Sequence, residues 1–372
     1  MRIRRAKYKI RAIVLSILMS SLILLTGCSS NLALFFGQQK DVAGISQDKY
    51  AYSCLSTDEK KLYDIMLDAF LNFKEDVVIN TVNPEVIEKL FYAIFADYGG
   101  LFWVAGYSYT ERSNGSSPNM IFSPDFSMTR SQKEEKEALV KKAKKEWLSG
   151  ISKDSPDYYK SLYVYENLVS RVDYEENAPD SQNILSVFLN GKSVCQGYAD
   201  AAGVLFDELG IKNVILRGEA QGEPHSWNMI MLDNEWYFFD ATWGNSRYLD
   251  KSSEKKTVNY AYLNVTSEEM EKTHTLNMEI TIPRCTATAD NYYRKSGLYF
   301  ETMDKAALGQ TFSEAYKNGA SQCSVKFGTQ KAYLDALDFF VRKGNLGRYC
   351  EGLSVIYYNE RRDVLVLTIY YF

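Results

Sequence analysis

Histidine is nearly missing from this chain: 2 in 372 residues, His225 and His274. General bases of the usual kind are therefore scarce, and any imidazole chemistry rests on one of two positions. Proline is rare as well, at 7, while tyrosine reaches 28 and hydrophobic residues 46%, a balance that excludes a disordered chain. The 6 cysteines include no C-x-x-C pair, which excludes the common spacing of a zinc site. Phosphate loops and dinucleotide fingerprints are missing too. No surplus of positive charge exists: 43 Lys and Arg stand against 47 Asp and Glu, which argues against nucleic acid as a partner. The Lys133–Lys145 run mixes both signs and reads as a solvated helix face.

The positive charge that is present collects at the start. Arg2, Arg4, Arg5, Lys7, Lys9 and Arg11 precede an apolar stretch, Ala12–Leu25, of 14 residues. That is short of the roughly 20 residues of a membrane span and has the shape of a secretory signal. It ends in Leu25-Thr26-Gly27-Cys28, which resembles the lipobox of bacterial lipoproteins. The resemblance implies cleavage before Cys28 and lipidation of its thiol, hence a lipid-anchored protein on the extracellular face of a membrane. Removing the six basic residues before Cys28 leaves 37 basic against 47 acidic.

Beyond a signal at 1–28 and a tether at 29–57, the pattern predicts four regions. Residues 58–150 read as mostly helical, with helices from Asp58 and Pro84, a strand-like Leu101–Tyr109, and a charged helix over Ser131–Ser149 with Leu139, Ala143 and Trp147 inward. Residues 151–250 read as helix Tyr158–Val172, helix Cys195–Leu209 and strands Asn213–Glu219, His225–Leu232 and Glu235–Thr242. A connecting segment, 251–299, precedes a small α+β domain at 300–372. His274 falls in a polar stretch and reads as a surface residue. The sequons at Asn114 and Asn264 are set aside, because the lipobox points to a bacterium. Tyrosine and tryptophan richness reads as core and strand surface rather than as a glycan platform.

Three features converge on thiol chemistry. Cys195 starts a helix, where free N–H groups and the positive end of the macrodipole favour a thiolate. His225 opens a strand. If Asp233-Asn234 is a two-residue turn, Leu232 faces Glu235 and Asp240 faces Trp227. Side chains alternate along a strand, so Asp240 then lies on the face of His225, one diagonal step away. The predicted roles are nucleophile for Cys195, general base and acid for His225, and orienting carboxylate for Asp240. The Cys195 N–H offers half of an oxyanion hole.

The stretches G-K-S-V-C-Q-G-Y-A-D-A, H-S-W-N-M-I and W-Y-F-F-D-A-T-W-G resemble the transglutaminase-like superfamily. The resemblance implies an α+β, papain-like core, a helix bearing the cysteine packed on an antiparallel sheet. It carries the triad onto Cys195, His225 and Asp240, and matches Gly197, Tyr198, Trp227 and Asn228, which become substrate or oxyanion candidates. It implies thioester acyl transfer without metal or cofactor, on a surface protein or cell-wall peptide, ending in hydrolysis, deamidation or crosslinking. The alternative is a surface binding module that keeps the fold without the reaction. Pairing among Cys54, Cys285, Cys323 and Cys350 stays open.

Overall fold

The computed structural model describes residues 46–81, 83–112, 119–245, 257–353 and 356–371, so the signal, Cys28, most of the tether and the Asn114 sequon lie outside the described residues. The chain divides into two compact units, 1–142 and 143–372.

In the first unit, α1 (Tyr50–Ser53) precedes α2 (Thr57–Asn72), which starts with a capping box: Ser56 Oγ accepts from Glu59 N, and Glu59 Oε2 from Ser56 N. After β1 (Val77–Ile79), α3 (Pro84–Asp97) begins at its proline behind an Asn83 cap. Its last residue, Asp97, accepts from Ala51 N, Tyr52 N and the Tyr63 hydroxyl at 2.8–2.9 Å, pinning α1 and α2 to one carboxylate. The region also carries a sheet beside its helices. Strands β2 (Val104–Arg112) and β3 (Asn119–Phe126) join β1 in an antiparallel sheet of order β1-β3-β2. The central strand carries Pro124, which disguises it in the sequence. Helix α4 (Arg130–Trp147) buries Val140 and Trp147, whereas Leu139 is exposed. Positions 140 and 147 are two turns apart and share a stripe; Leu139 lies about 100° off it.

The second unit takes in the last turn of α4 and continues with α5 (Asp157–Arg171), followed by a short parallel pair, β4 (Asp173–Tyr174) and β5 (Lys192–Ser193). Helix α6 (Cys195–Leu209) ends at Gly210, whose φ of +73° is the left-handed turn that glycine takes without strain. Its stripe Tyr198, Ala201, Ala202, Leu205, Phe206 and Leu209 is buried, each large side chain stabilising the fold by roughly 1.5–3 kcal/mol. Strands β6 (Asn213–Ala220), β7 (Glu223–Leu232) and β8 (Glu235–Phe239) form an antiparallel meander. The β7–β8 turn has positive φ at both Asp233 and Asn234 and pairs Leu232 with Glu235. The third strand is shorter than its pattern predicts, because Asp240 leaves the ladder to cap α7 (Ala241–Gly244).

The segment expected to be a connection, 251–299, builds both edges of this sheet. It holds β9 (Leu263–Val265), α8 (Ser267–Met270) and β10 (His274–Leu276), giving the order β10-β6-β7-β8-β9. After α9 (Tyr292–Lys295), the C-terminal portion runs β11 (Tyr299–Phe300), α10 (Lys305–Lys317), β12 (Gln322–Phe327), α11 (Gln330–Ala336), β13 (Ile356–Arg361) and β14 (Val366–Tyr371). These four strands make a second sheet, β11-β12-β14-β13, over its own core of Leu308, Phe312, Val325, Tyr333, Phe340 and Ile369. Among the described residues no helix is long and apolar enough to cross a membrane.

Candidate active site

Cys195 is the first residue of α6, and Val194 before it supplies no side-chain cap. The first N–H groups of the helix thus point outward without an intrahelical partner, around a half-buried thiol. Gly197 in that turn is required by packing. A Cβ there would sit 2.0 Å from Ser193 Oγ and about 3 Å from the Ser181 and Asn183 carbonyls. The close approach is thus made by the chain itself.

The helix start is also fixed from the sheet side. Ser226 Oγ donates to Gln196 Oε1 at 2.9 Å, and Gln196 Nε2 donates to Asp200 Oδ1 at 2.7 Å. Asn228 Nδ2 donates to the Ala199 carbonyl at 2.9 Å. Tyr198 donates its hydroxyl to the Val172 carbonyl and accepts from Asn245 Nδ2. Of the residues matched by the superfamily motif, Gly197, Tyr198 and Asn228 therefore hold the scaffold. Trp227 is different: its indole stacks on His225 at 6.0 Å and its buried N–H has no hydrogen-bond partner among the described residues.

The structure brings Cys195, His225 and Asp240 together. Asp240 Oδ2 accepts from His225 Nε2 at 2.8 Å, with both side chains almost fully buried. Cys195 is among the groups whose influence raises the His225 imidazole. Because Nε2 is committed to Asp240, Nδ1 is the nitrogen available to the thiol. Burial opposes a charge on His225, but the Asp240 carboxylate and the contact with Cys195 outweigh it and raise the imidazole to about 10. Burial likewise opposes the Asp240 anion, yet His225 and His274 hold it well below the usual carboxylate range. The second oxygen, Oδ1, accepts from Thr242 N at 2.9 Å and Trp243 N at 3.1 Å. The carboxylate is at once a helix cap and the partner of the histidine.

His274 is the residue that the sequence pattern misplaces. It is buried rather than on the surface, and its Nε2 reaches Asp240 Oδ2 at 3.1 Å. The scarcity that singles out His225 applies equally to the other histidine, and that was the available signal. His225, His274 and Asp240 present ligand-type atoms within 4.8 Å of one another. Both Nε2 atoms lie within hydrogen-bond distance of one carboxylate oxygen. A mostly apolar cavity of about 380 Å³ adjoins the site, lined in part by Trp227, Met270, His274, Ile282 and Pro283. Cys54, Cys195, Cys285, Cys323 and Cys350 are free thiols.

Residues 145–241 match the family model of the transglutaminase-like superfamily, a span that includes Cys195, His225 and Asp240. Among solved structures the chain is similar to a TGase, at 14% identity and a TM-score of 0.27 over 42% of this chain and 47% of that one. It is also similar to a proposed cysteine protease from Cytophaga hutchinsonii, at 16% identity and 0.25, over 36% of this chain and 61% of that one. A proposed protease from Parabacteroides distasonis aligns at 9% identity and 0.23, over 36% and 30%. The chain spans less than two thirds of each of these proteins. No curated protein matches it.

Proposed function

We propose that this chain, whose residues 145–241 are of the transglutaminase-like superfamily, is a thiol acyltransferase that works through Cys195, His225 and Asp240. The observation that carries the reading is the buried His225–Asp240 hydrogen bond at 2.8 Å, on an imidazole that also feels the helix-start Cys195. Asp240 holds the ring and favours its cationic form, and the imidazolium stands beside the sulfur as a thiolate partner.

The sulfur attacks the carbonyl carbon of a carboxamide or peptide, forming a C–S bond while the carbonyl oxygen takes up negative charge. The Cys195 N–H is placed to donate to that oxygen. Collapse expels ammonia or an amine, which leaves with the proton from His225, and a thioester remains. Neutral His225 then removes a proton from the acceptor as it attacks the thioester. Water gives hydrolysis or deamidation, and a lysine amine gives an isopeptide bond. The basic n-region, apolar stretch and Cys28 support a lipid-anchored protein on the extracellular face, with surface proteins or cell-wall peptides as substrates.

Iodoacetamide labelling of Cys195 from pH 5 to 9 tests the pair. The expected result is rapid labelling of the wild type near neutral pH that His225→Ala slows about tenfold or more. Wild-type labelling that follows an ordinary thiol and ignores His225→Ala would mark a binding module instead. Incubation with a glutamine-containing protein and a labelled amine then separates crosslinking from ammonia release alone.

A further inference from the structure

The carboxylate at the centre of the site has more donors than a simple orienting residue needs. Oδ1 takes two backbone N–H groups, and Oδ2 takes two imidazoles, His225 at 2.8 Å and His274 at 3.1 Å. The second imidazole is held on every side. Its Nδ1 lies 2.8 Å from Thr273 Oγ1, and its ring packs against Trp243 at 4.8 Å, Trp227 at 5.0 Å, His225 at 5.3 Å and Tyr262 at 5.7 Å.

The sheet makes this meeting possible. His225 pairs with Gly218 of β6, and His274, on the far side of β6, pairs with Ala220. Gly218 and Ala220 are two apart and share a face. Both are small, so the two histidines lean toward each other over the strand between them. A Cβ at Gly218 would lie 2.8 Å from the Trp227 ring and 2.0 Å from the Thr275 carbonyl.

Hydrogen bonding also sets the tautomer. A carboxylate only accepts, so His274 Nε2 carries a proton. The Thr273 hydroxyl can donate to Nδ1, and its other contact, the Met270 carbonyl, is longer at 3.4 Å. One Nε2–H of His274 therefore serves Asp240 Oδ2, while His225 keeps the shorter contact to the same oxygen.

We propose that His274 is a positioning residue for the reaction, its Nε2–H fixing Asp240 Oδ2 in the direction that serves His225. The proposal rests on the reading of Cys195 and His225 as nucleophile and base. The ionisable groups around His274 are Asp240, His225 and Tyr262, with Glu271 and Arg284 on the adjoining cavity wall.

The test is the pH profile of Cys195 alkylation in the full chain, with thermal melts as the folding control. His274→Phe keeps the ring packing and removes the donor. It is expected to slow alkylation at pH 6–7 about tenfold and shift the acidic limb upward. His274→Gln restores an N–H near Nε2 and is expected to stay within threefold of wild type. His274→Asn, whose amide stops near the Nδ1 position, is expected to behave like the phenylalanine variant, and it carries the test if that variant fails to fold. Folded His274→Phe or His274→Asn protein with a wild-type profile would overturn the proposal. His225→Ala in parallel keeps the two readings apart: a profile changed by His225→Ala and untouched at His274 removes only the positioning role. A profile indifferent to both removes the acyltransfer reading itself.

Discussion

At the scale of single residues, His225 couples chemistry to stability. Its imidazole is held to about 10 in the folded chain, against about 6.5 when free. The folded state therefore binds more protons between those values. The stabilisation is full below about pH 6.5 and is lost as pH rises through 10. Asp240 has the opposite sign: its depressed carboxyl contributes above the ordinary carboxylate range and loses that contribution as pH falls. On this basis the stability of wild-type protein should fall from pH 7 to pH 10 more steeply than that of His225→Gln, which has no proton to lose. The difference in slope should stay below the ~1.4 kcal/mol per pH unit that one proton sets as a ceiling. Parallel slopes in urea denaturation across this range would show that His225 is not cationic in the folded protein.

At the scale of elements, the start of α6 hangs on the relay Ser226–Gln196–Asp200. Burial pushes the Asp200 carboxyl up to about 8, beyond what the attraction of Arg217 and the Gln196 hydrogen bond can offset. Asp200 is thus mostly protonated in the folded chain at neutral pH but ionised in the unfolded one, so stability is lost as pH rises from the ordinary carboxylate range through about 8. Asp200→Asn keeps the Oδ1 acceptor for Gln196. It should already be stabilising at pH 7 and more so at pH 9, by about a further 1 kcal/mol, measured as a rise in denaturation midpoint. A uniform loss at both values would show a charged Asp200 throughout. Elements also explain what the sequence discloses. The α6 stripe spans four turns and the β7–β8 hairpin has a turn pair, Asp233-Asn234, able to take positive φ, so Cys195, His225 and Asp240 are legible in order and register. Strand β10 is three residues long, too short for any alternation, and exists because β6 offers an edge to pair with. His274 is invisible for that reason, as β3 is for its central proline.

At the scale of the molecule, the C-terminal sheet is tied by charge to the elements around the sheet that carries His225. Arg361 of β13 donates to the Tyr262 hydroxyl at 3.0 Å, and Tyr262 is both a wall of the His274 box and the acceptor, through its carbonyl, of Asp240 N. Lys326 of β12 pairs with Glu269 of α8, and the lysine is almost fully buried. Burial drives the Lys326 ammonium down despite the attraction of Glu269, while the same ion pair holds Glu269 low against its own burial. Such a pair is costly to break from one side, because the remaining charge stays out of water without a counterion. Lys326→Met should therefore cost about 3–5 kcal/mol in urea denaturation, whereas Lys326→Met combined with Glu269→Leu should recover most of that loss. The Glu269 change also removes a capping partner of Thr266, so recovery should fall short by about 1 kcal/mol. A single Lys326→Met variant as stable as wild type would mean that this pair does not join the two sheets.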